Sequence, residues 1–289
     1  MSDRVSLGRI AMRSALQLRR MLSVPRQAAV NVYDVASALG VEVWFMDRPS
    51  LEGMFYRGPH PKILLPSWQH RPKGRIAFSC AHELGHFQLG HGTHVDEYVE
   101  ESQHSGPKSD EEFAADTFAT SLLMPRQAVI ERFTQRGWDL ATAEPTKLFT
   151  IAGELDVGYS TLLKHLRYGL ELVNNGWMAP RLNVTPKTIR QVVTGATQPP
   201  RVVIVNEHWS NIPVDLEVGD EVAIPSNLRV ECDDSIREAG SHSEYSRWVG
   251  TCAGEAAIRI NGRRHRVRVA RAGYCGMLKY RFLDDPDET

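Results

Sequence analysis

The sequence predicts an α+β, multidomain protein, and three observations predict it. The N-terminal part places apolar residues at helical spacing, broken early by three short strand-like runs. Residues 147–170 carry two apolar stripes on either side of a tight turn. From about residue 181 the pattern changes to short β-like runs separated by Gly, Pro and Asn. The 289 residues suffice for two or three domains. They divide as 1–137, mostly helical with a small sheet; 138–176, a helix-turn-helix-like pair; and 177–289, an α+β domain.

Composition excludes several classes. A hydrophobic share of 42% and a charged share of 24% are those of a soluble globular protein. The net charge of -1 gives no global pull toward nucleic acid or anionic membrane. Cys80, Cys232, Cys252 and Cys275 are scattered without a C-x-x-C, which suits free thiols in a reducing compartment. No apolar run of about 18 residues is present, and the first residues lack the apolar core of a signal peptide, so a cytoplasmic protein with no membrane contact is expected.

Residues 7–22 place Ile10, Ala11, Ala15, Leu16 and Leu18 on one side and arginines on the other, an amphipathic helix punctuated by Pro25. A second helix over 28–39 ends at Gly40. Residues 41–45, 53–57 and 62–65 read as strands, the last ended by Pro66. An edge strand here could hold a peptide by backbone pairing; Tyr56 and Arg57 read as surface residues of a hairpin.

Residues 77–92, AFSCAHELGHFQLGHG, read as a helix stopped by Gly90 and Gly92. Within it His82-Glu83-Leu84-Gly85-His86 is an H-E-x-x-H. Four residues is close to one turn, so His82 and His86 share a face and can share a metal ion, with Glu83 in reach of a water on that ion. This is the pattern of zinc-dependent peptide hydrolysis. Without a third ligand the two His are explicable as a buried, hydrogen-bonded pair. His91 lies out of register for that role and follows the helix stop. The next helix, 109–124, supplies a better candidate. Ser109 or Asp110 can cap it, and Pro125 ends it. On it Glu112 and Asp116 are four apart: Glu112 is the candidate third ligand and Asp116 an acceptor for a ligand imidazole N–H. Glu111, about a third of a turn away, is the runner-up. Two His and one carboxylate suit zinc and also accommodate manganese or iron.

The stretches RIAFSCAHELGH (75–86) and EEFAADTFATSLLMP (111–125) resemble the ImmA/IrrE family of metallopeptidases, whose A-H-E-x-G-H helix is followed by E-x-x-A-[ND]-x-F-A-x-x-L-L-M-P. The resemblance covers about fifty residues. It implies a zincin-like peptidase domain with His82, His86 and Glu112 as ligands and Glu83 as the catalytic residue, a gluzincin-like H-E-x-x-H…E set. It also implies a protein substrate, a transcriptional repressor of the helix-turn-helix type, cut to relieve repression under stress. The layout resembles family members that regulate the radiation and DNA-damage response, which implies a GAF-like C-terminal domain reading an unknown small-molecule signal.

Residues 93–108 read as a polar, acidic surface loop, with His94 and His104 as stray metal binders more at home in solvent. A helix over 126–135 closes at Gly137. In 147–170 the motif I-A-x-x-L-x-V-x-x-x-T-L-x-x-H-L resembles a helix-turn-helix, in which Tyr159, Ser160, Thr161, Lys164 and Arg167 would face DNA or a protein partner. The basic content is thin for DNA, whose affinity rests on phosphate contacts, so a protein-docking or dimer surface is at least as well supported. Residues 174–180 read as a linker and 185–193 as a helix. Runs at 202–205, 221–224, 248–251, 256–260, 265–270 and 277–282 read as strands, with Asn261-Gly262 a hairpin turn. Arg259, Arg263, Arg264, Arg266, Arg268 and Arg271 are expected on one solvated face.

Overall fold

The computed structural model describes residues 2–97 and 109–283. The elements run α1 (Ser2–Met21), α2 (Val32–Ala38), β1 (Glu42–Met46), β2 (Leu51–Tyr56), β3 (Lys62–Pro66), α3 (Lys73–Leu89), β4 (His94–Glu97), α4 (Asp110–Leu123) and α5 (Arg126–Thr134). Then come α6 (Pro145–Glu154), α7 (Tyr159–Lys164) continued by a π-helical turn (His165–Gly169), α8 (Asn175–Leu182) and α9 (Pro186–Thr194). The strands β5 (Val202–Ile204), β6 (Val214–Glu217), β7 (Glu221–Pro225), β8 (Val230–Cys232), β9 (Ile236–His242), β10 (Tyr245–Gly250), β11 (Gly254–Ile260), β12 (Arg263–Ala270) and β13 (Gly276–Met277) follow. The chain forms two compact units: Met1–Glu131 with Leu155–Gly158 and Cys275–Leu278, and Arg132–Glu154 with Tyr159–Tyr274 and Lys279–Thr289. Of the expected middle segment, 138–176, the turn Leu155–Gly158 thus groups with the first unit and the rest with the second.

In the first unit a five-stranded sheet runs β13-β1-β3-β2-β4, parallel between β1 and β3 and antiparallel elsewhere. Alternation along β1 and β2 buries Val43, Phe45 and Phe55 on one face, toward the helices. Phe55 meets Phe87 of α3 edge-on at 5.8 Å between ring centroids. Ser109, one of the two expected caps, accepts a hydrogen bond from the Glu112 amide and starts α4. Gly90 ends α3 in the left-handed region at φ 78°, where a side chain would be strained. Close passage of α3 over α4 needs Gly85: a Cβ there would stand 3.0 Å from the Ala115 Cα.

Residues 94–97 are a strand, not the loop that polarity suggested. They pair with the outer edge of β2, Asp96 opposite Gly53. Edge strands tolerate polar side chains, and that is why the segment does not read as a strand. His94 falls on β4; the remainder of the expected loop, His104 included, lies outside the described residues.

In the second unit the sheets β5-β7-β10-β9 and β6-β12-β11-β8 enclose Trp209, Leu216, Ile224, Ile258 and Val267 in one core. Asn261 and Gly262 take positive φ at the β11–β12 hairpin, as the Asn-Gly pair predicts. The expected linker at 174–180 is instead the start of α8. Asn174 caps it by accepting from the Trp177 amide, and the Arg181 guanidinium stacks 4.1 Å over the Trp177 ring. The expected strand at 277–282 is reduced to β13 and a 3-10 turn. The arginine face is also not uniformly solvated: Arg268 is buried and grips Asp215 with two bonds of 2.5 and 2.7 Å.

Candidate metal centre

One turn of α3 sets the His82 and His86 rings 4.8 Å apart, centroid to centroid, and both side chains are buried. Their Nε2 atoms are 3.0 Å from each other. From α4 the Glu112 carboxylate brings Oε2 to 3.4 Å from His82 Nε2 and Oε1 to 3.3 Å from His86 Nε2. Asp116, one turn further along α4, lies with Oδ1 3.0 Å from His82 Nδ1. That carboxylate accepts the Nδ1 proton and so turns the lone pair of Nε2 toward His86 and Glu112.

Three lone-pair donors converging at such distances repel one another unless positive charge lies among them. A tetrahedral zinc with bonds of about 2.0–2.1 Å would place its ligand atoms about 3.3 Å apart; the two His–Glu112 separations lie at 3.4 and 3.3 Å, and the His82–His86 pair is closer, at 3.0 Å. The electrostatics favour a cation too. Burial would pull the His82 pKa down, but the hydrogen bonds to Asp116 and Glu112 and the charges of Asp116 and Glu83 outweigh it and raise the pKa to about 10, and the negative charge that holds a second proton on the ring equally favours a metal ion in that proton's place. Hydrogen bonds from His82 and His86 hold the Glu112 carboxylate far below its ordinary range. The residues fit a bound metal ion.

Glu83 is fully buried, and both its carboxylate oxygens lack a hydrogen-bond partner among the described residues. Burial lifts its pKa to about 8, with the charges of Asp96, Glu112 and Glu52 adding and His82 opposing. A buried carboxyl without partners is costly, so its retention beside the three donors points to a proton-handling role. Gly53 of β2 makes room for it: a Cβ at that position would meet Glu83 Oε1 at 2.4 Å.

Two further groups belong to the site that sequence reasoning passed over. His91 Nδ1 lies 2.9 Å from His86 Nδ1. The left-handed turn at Gly90 folds the chain back, with the His91 amide donating to the His86 carbonyl, so a residue beyond the helix stop reaches the helix face. The Arg57 guanidinium holds the His91 carbonyl at 2.8 Å, giving that surface residue a structural task; Tyr56 is exposed. Asp96 of β4 brings Oδ2 to 3.4 Å from His82 Nε2. Only the β2–β4 pairing puts it there, and no spacing rule in the sequence signals it. Glu111, the runner-up for third ligand, is not among the grouped donors, which are His82, His86 and Glu112.

The helix-turn-helix-like candidates are not brought into one exposed row. Tyr159 is buried and its hydroxyl donates to the Arg181 carbonyl, because the apolar ring joins the packing against α8. Ser160 and Lys164 are exposed, Thr161 is half-buried, and Arg167 donates to the Asn175 side chain at 2.8 Å. None of the four cysteines is in a disulfide, and only Cys80 is fully buried. No helix among the described residues is long and apolar enough to cross a membrane.

An H-E-x-x-H helix, a carboxylate from the following helix and a sheet strand against the glutamate together form a cluster that could hold a metal ion. Residues 36–167 match the family model of the IrrE N-terminal-like domain, peptidase family M78, and this part of the chain is similar to that domain. No curated protein is similar enough to the chain to be matched to it.

Proposed function

We propose that the chain is a cytoplasmic metalloendopeptidase, and the convergence of His82, His86 and Glu112 beside the buried, unpartnered Glu83 carries that reading. Zinc is the metal proposed, with manganese compatible with the same donors. When bound, the ion supplies a water of lowered pKa and polarises the scissile carbonyl. The protein's own part is proton transfer and orientation. Glu83 takes a proton on its carboxylate and returns it to the departing amine. Asp116 and His91 fix the rings of His82 and His86 through their Nδ1 atoms.

The proposed substrate is a transcriptional repressor of the helix-turn-helix type, cut to start a stress response to DNA damage or radiation; the match of residues 36–167 to the IrrE N-terminal-like domain and the motif resemblance support it. A GAF-like sensing role for the C-terminal domain belongs to the same reading. A rival, a DNA-binding regulator with a structural metal, draws little support from α7 and its π-helical continuation, where Tyr159 is buried and Arg167 engaged. The test is incubation of the purified protein with such a repressor, with and without chelator. Cleavage that needs metal and disappears in Glu83→Gln is the expected result. Salt-sensitive duplex binding that survives chelator, with no cleavage, would favour the rival.

A further inference from the structure

The first unit carries a second charged site, unrelated to the metal centre. The end of α1 and the turn after it line an open groove of about 470 Å³, bounded by Arg13, Arg19, Arg20, Ser23 and Arg26. Four guanidinium groups around one concavity are unexpected in a chain of net charge -1.

Arg19 sets the problem. It is 1% exposed, and its guanidinium donates to three backbone carbonyls: Leu122 at 2.6 Å, Pro25 at 2.7 Å and Ala28 at 2.5 Å. Carbonyl dipoles bind the group but do not neutralise it. No carboxylate reaches it among the described residues, and its Nε–H is buried without an acceptor. A buried charge without a counter-charge is strongly unfavourable. Arg13, Arg20 and Arg26 are exposed, and none of their side chains forms an ion pair or hydrogen bond with a described residue. They therefore add positive potential at the groove and relieve none of it. Ser23 takes a left-handed φ of 57° in the same turn, a conformation of some cost for a residue with a side chain.

We propose that this groove binds a phosphate-bearing anion, held by Arg13, Arg20 and Arg26 at its rim and by the field of Arg19 at its floor. The planar guanidinium fork matches phosphoryl oxygens in pairs, which favours phosphate over a carboxylate of lower charge. The volume suits a group of nucleotide size. The phosphoryl groups come either from a free nucleotide or from a nucleic-acid backbone, and the two differ in what accompanies the phosphates.

The test uses the full chain, titrated at low salt with tripolyphosphate, with ATP and with a duplex DNA of arbitrary sequence. The comparison is a variant carrying Arg13→Glu, Arg20→Glu and Arg26→Glu. These residues are exposed, so the variant should keep its fold, as unchanged zinc binding would verify. Arg19→Lys is the second variant. We expect saturable binding weakened at least about tenfold in the triple variant, since each lost contact is a charge-assisted one. If duplex is the tighter ligand, its salt slope should fall by about 2.7, for three phosphates at about 0.9 each, and the backbone is the source. If tripolyphosphate and ATP bind and duplex does not, the source is a free nucleotide. No binding of any of the three, or binding that the triple variant leaves unchanged, overturns the proposal and leaves the metal centre unaffected.

Discussion

Gly53 and Glu83 show how much one missing side chain decides. The carboxylate of Glu83 occupies the space a Cβ on residue 53 would take. Gly53→Ala is therefore expected to push the carboxylate aside at little cost in stability, because the far end of a flexible side chain can yield. Cleavage should fall at least about tenfold, toward the loss of a general base, while zinc affinity stays near that of the wild type. Parallel assays of cleavage and metal affinity check this. Asp116→Ala removes the acceptor that orients His82. It should weaken zinc binding by about 10–100-fold, read by competition with a chelating dye. The candidate ligands His82 and His86 were legible in the sequence because a helix converts a spacing of four into a shared face. His91 and Asp96 were not legible. One arrives through a left-handed turn and the other through pairing of strands forty residues apart, and neither leaves a periodic trace.

The site depends on two helices, α3 and α4, meeting closely enough to bring a carboxylate to two imidazoles. Gly85 faces the Ala115 backbone, with a Cβ position 3.0 Å from the Cα and 3.1 Å from the carbonyl oxygen. Backbone cannot swing away as a side-chain tip can. Gly85→Ala should cost about 1–3 kcal/mol through overpacking and weaken zinc binding by parting Glu112 from His82 and His86. Chemical denaturation and a metal titration on the same variant measure both effects. Helices with strong caps were readable: Ser109 and Gly90 do what those residue types imply. Several missed elements lack a sequence signal for physical reasons. α8 contains Pro180 and follows Asn174-Asn175-Gly176, residues common in loops, and its order comes from Trp177 and Arg181 packing. β4, β8 and β9 carry polar residues on exposed or edge positions, where alternation is lost.

Across each whole unit, buried charge is distributed differently from what composition suggests. The second unit joins its helices to its sheets through Glu154, which receives Arg132 and Arg136 at 2.6 Å each and the Ser210 amide at 2.9 Å. His265 lies buried nearby, its Nε2 without a partner among the described residues. Burial and the Arg263 charge hold its pKa at about 4, with Glu154 opposing. Protons therefore bind the unfolded chain, with a His pKa near the ordinary 6.5, more readily than the folded one. The stability that neutral His265 contributes is complete above pH 6.5 and is lost as the pH falls toward 4. His265→Gln, neutral throughout, should lose Tm less steeply than the wild type over that range, as calorimetry at several pH values would record. Composition could not show this, because a sum of charges says nothing about which are buried. The account as a whole rests on one metal ion held by three side chains. Its most direct measurement is a calorimetric zinc titration of the purified chain, its His86→Ala variant and its Glu83→Gln variant. One ion per wild-type chain, none in His86→Ala and one in Glu83→Gln is the predicted outcome; a wild type that binds no zinc, or binds it equally well without His86, contradicts the account.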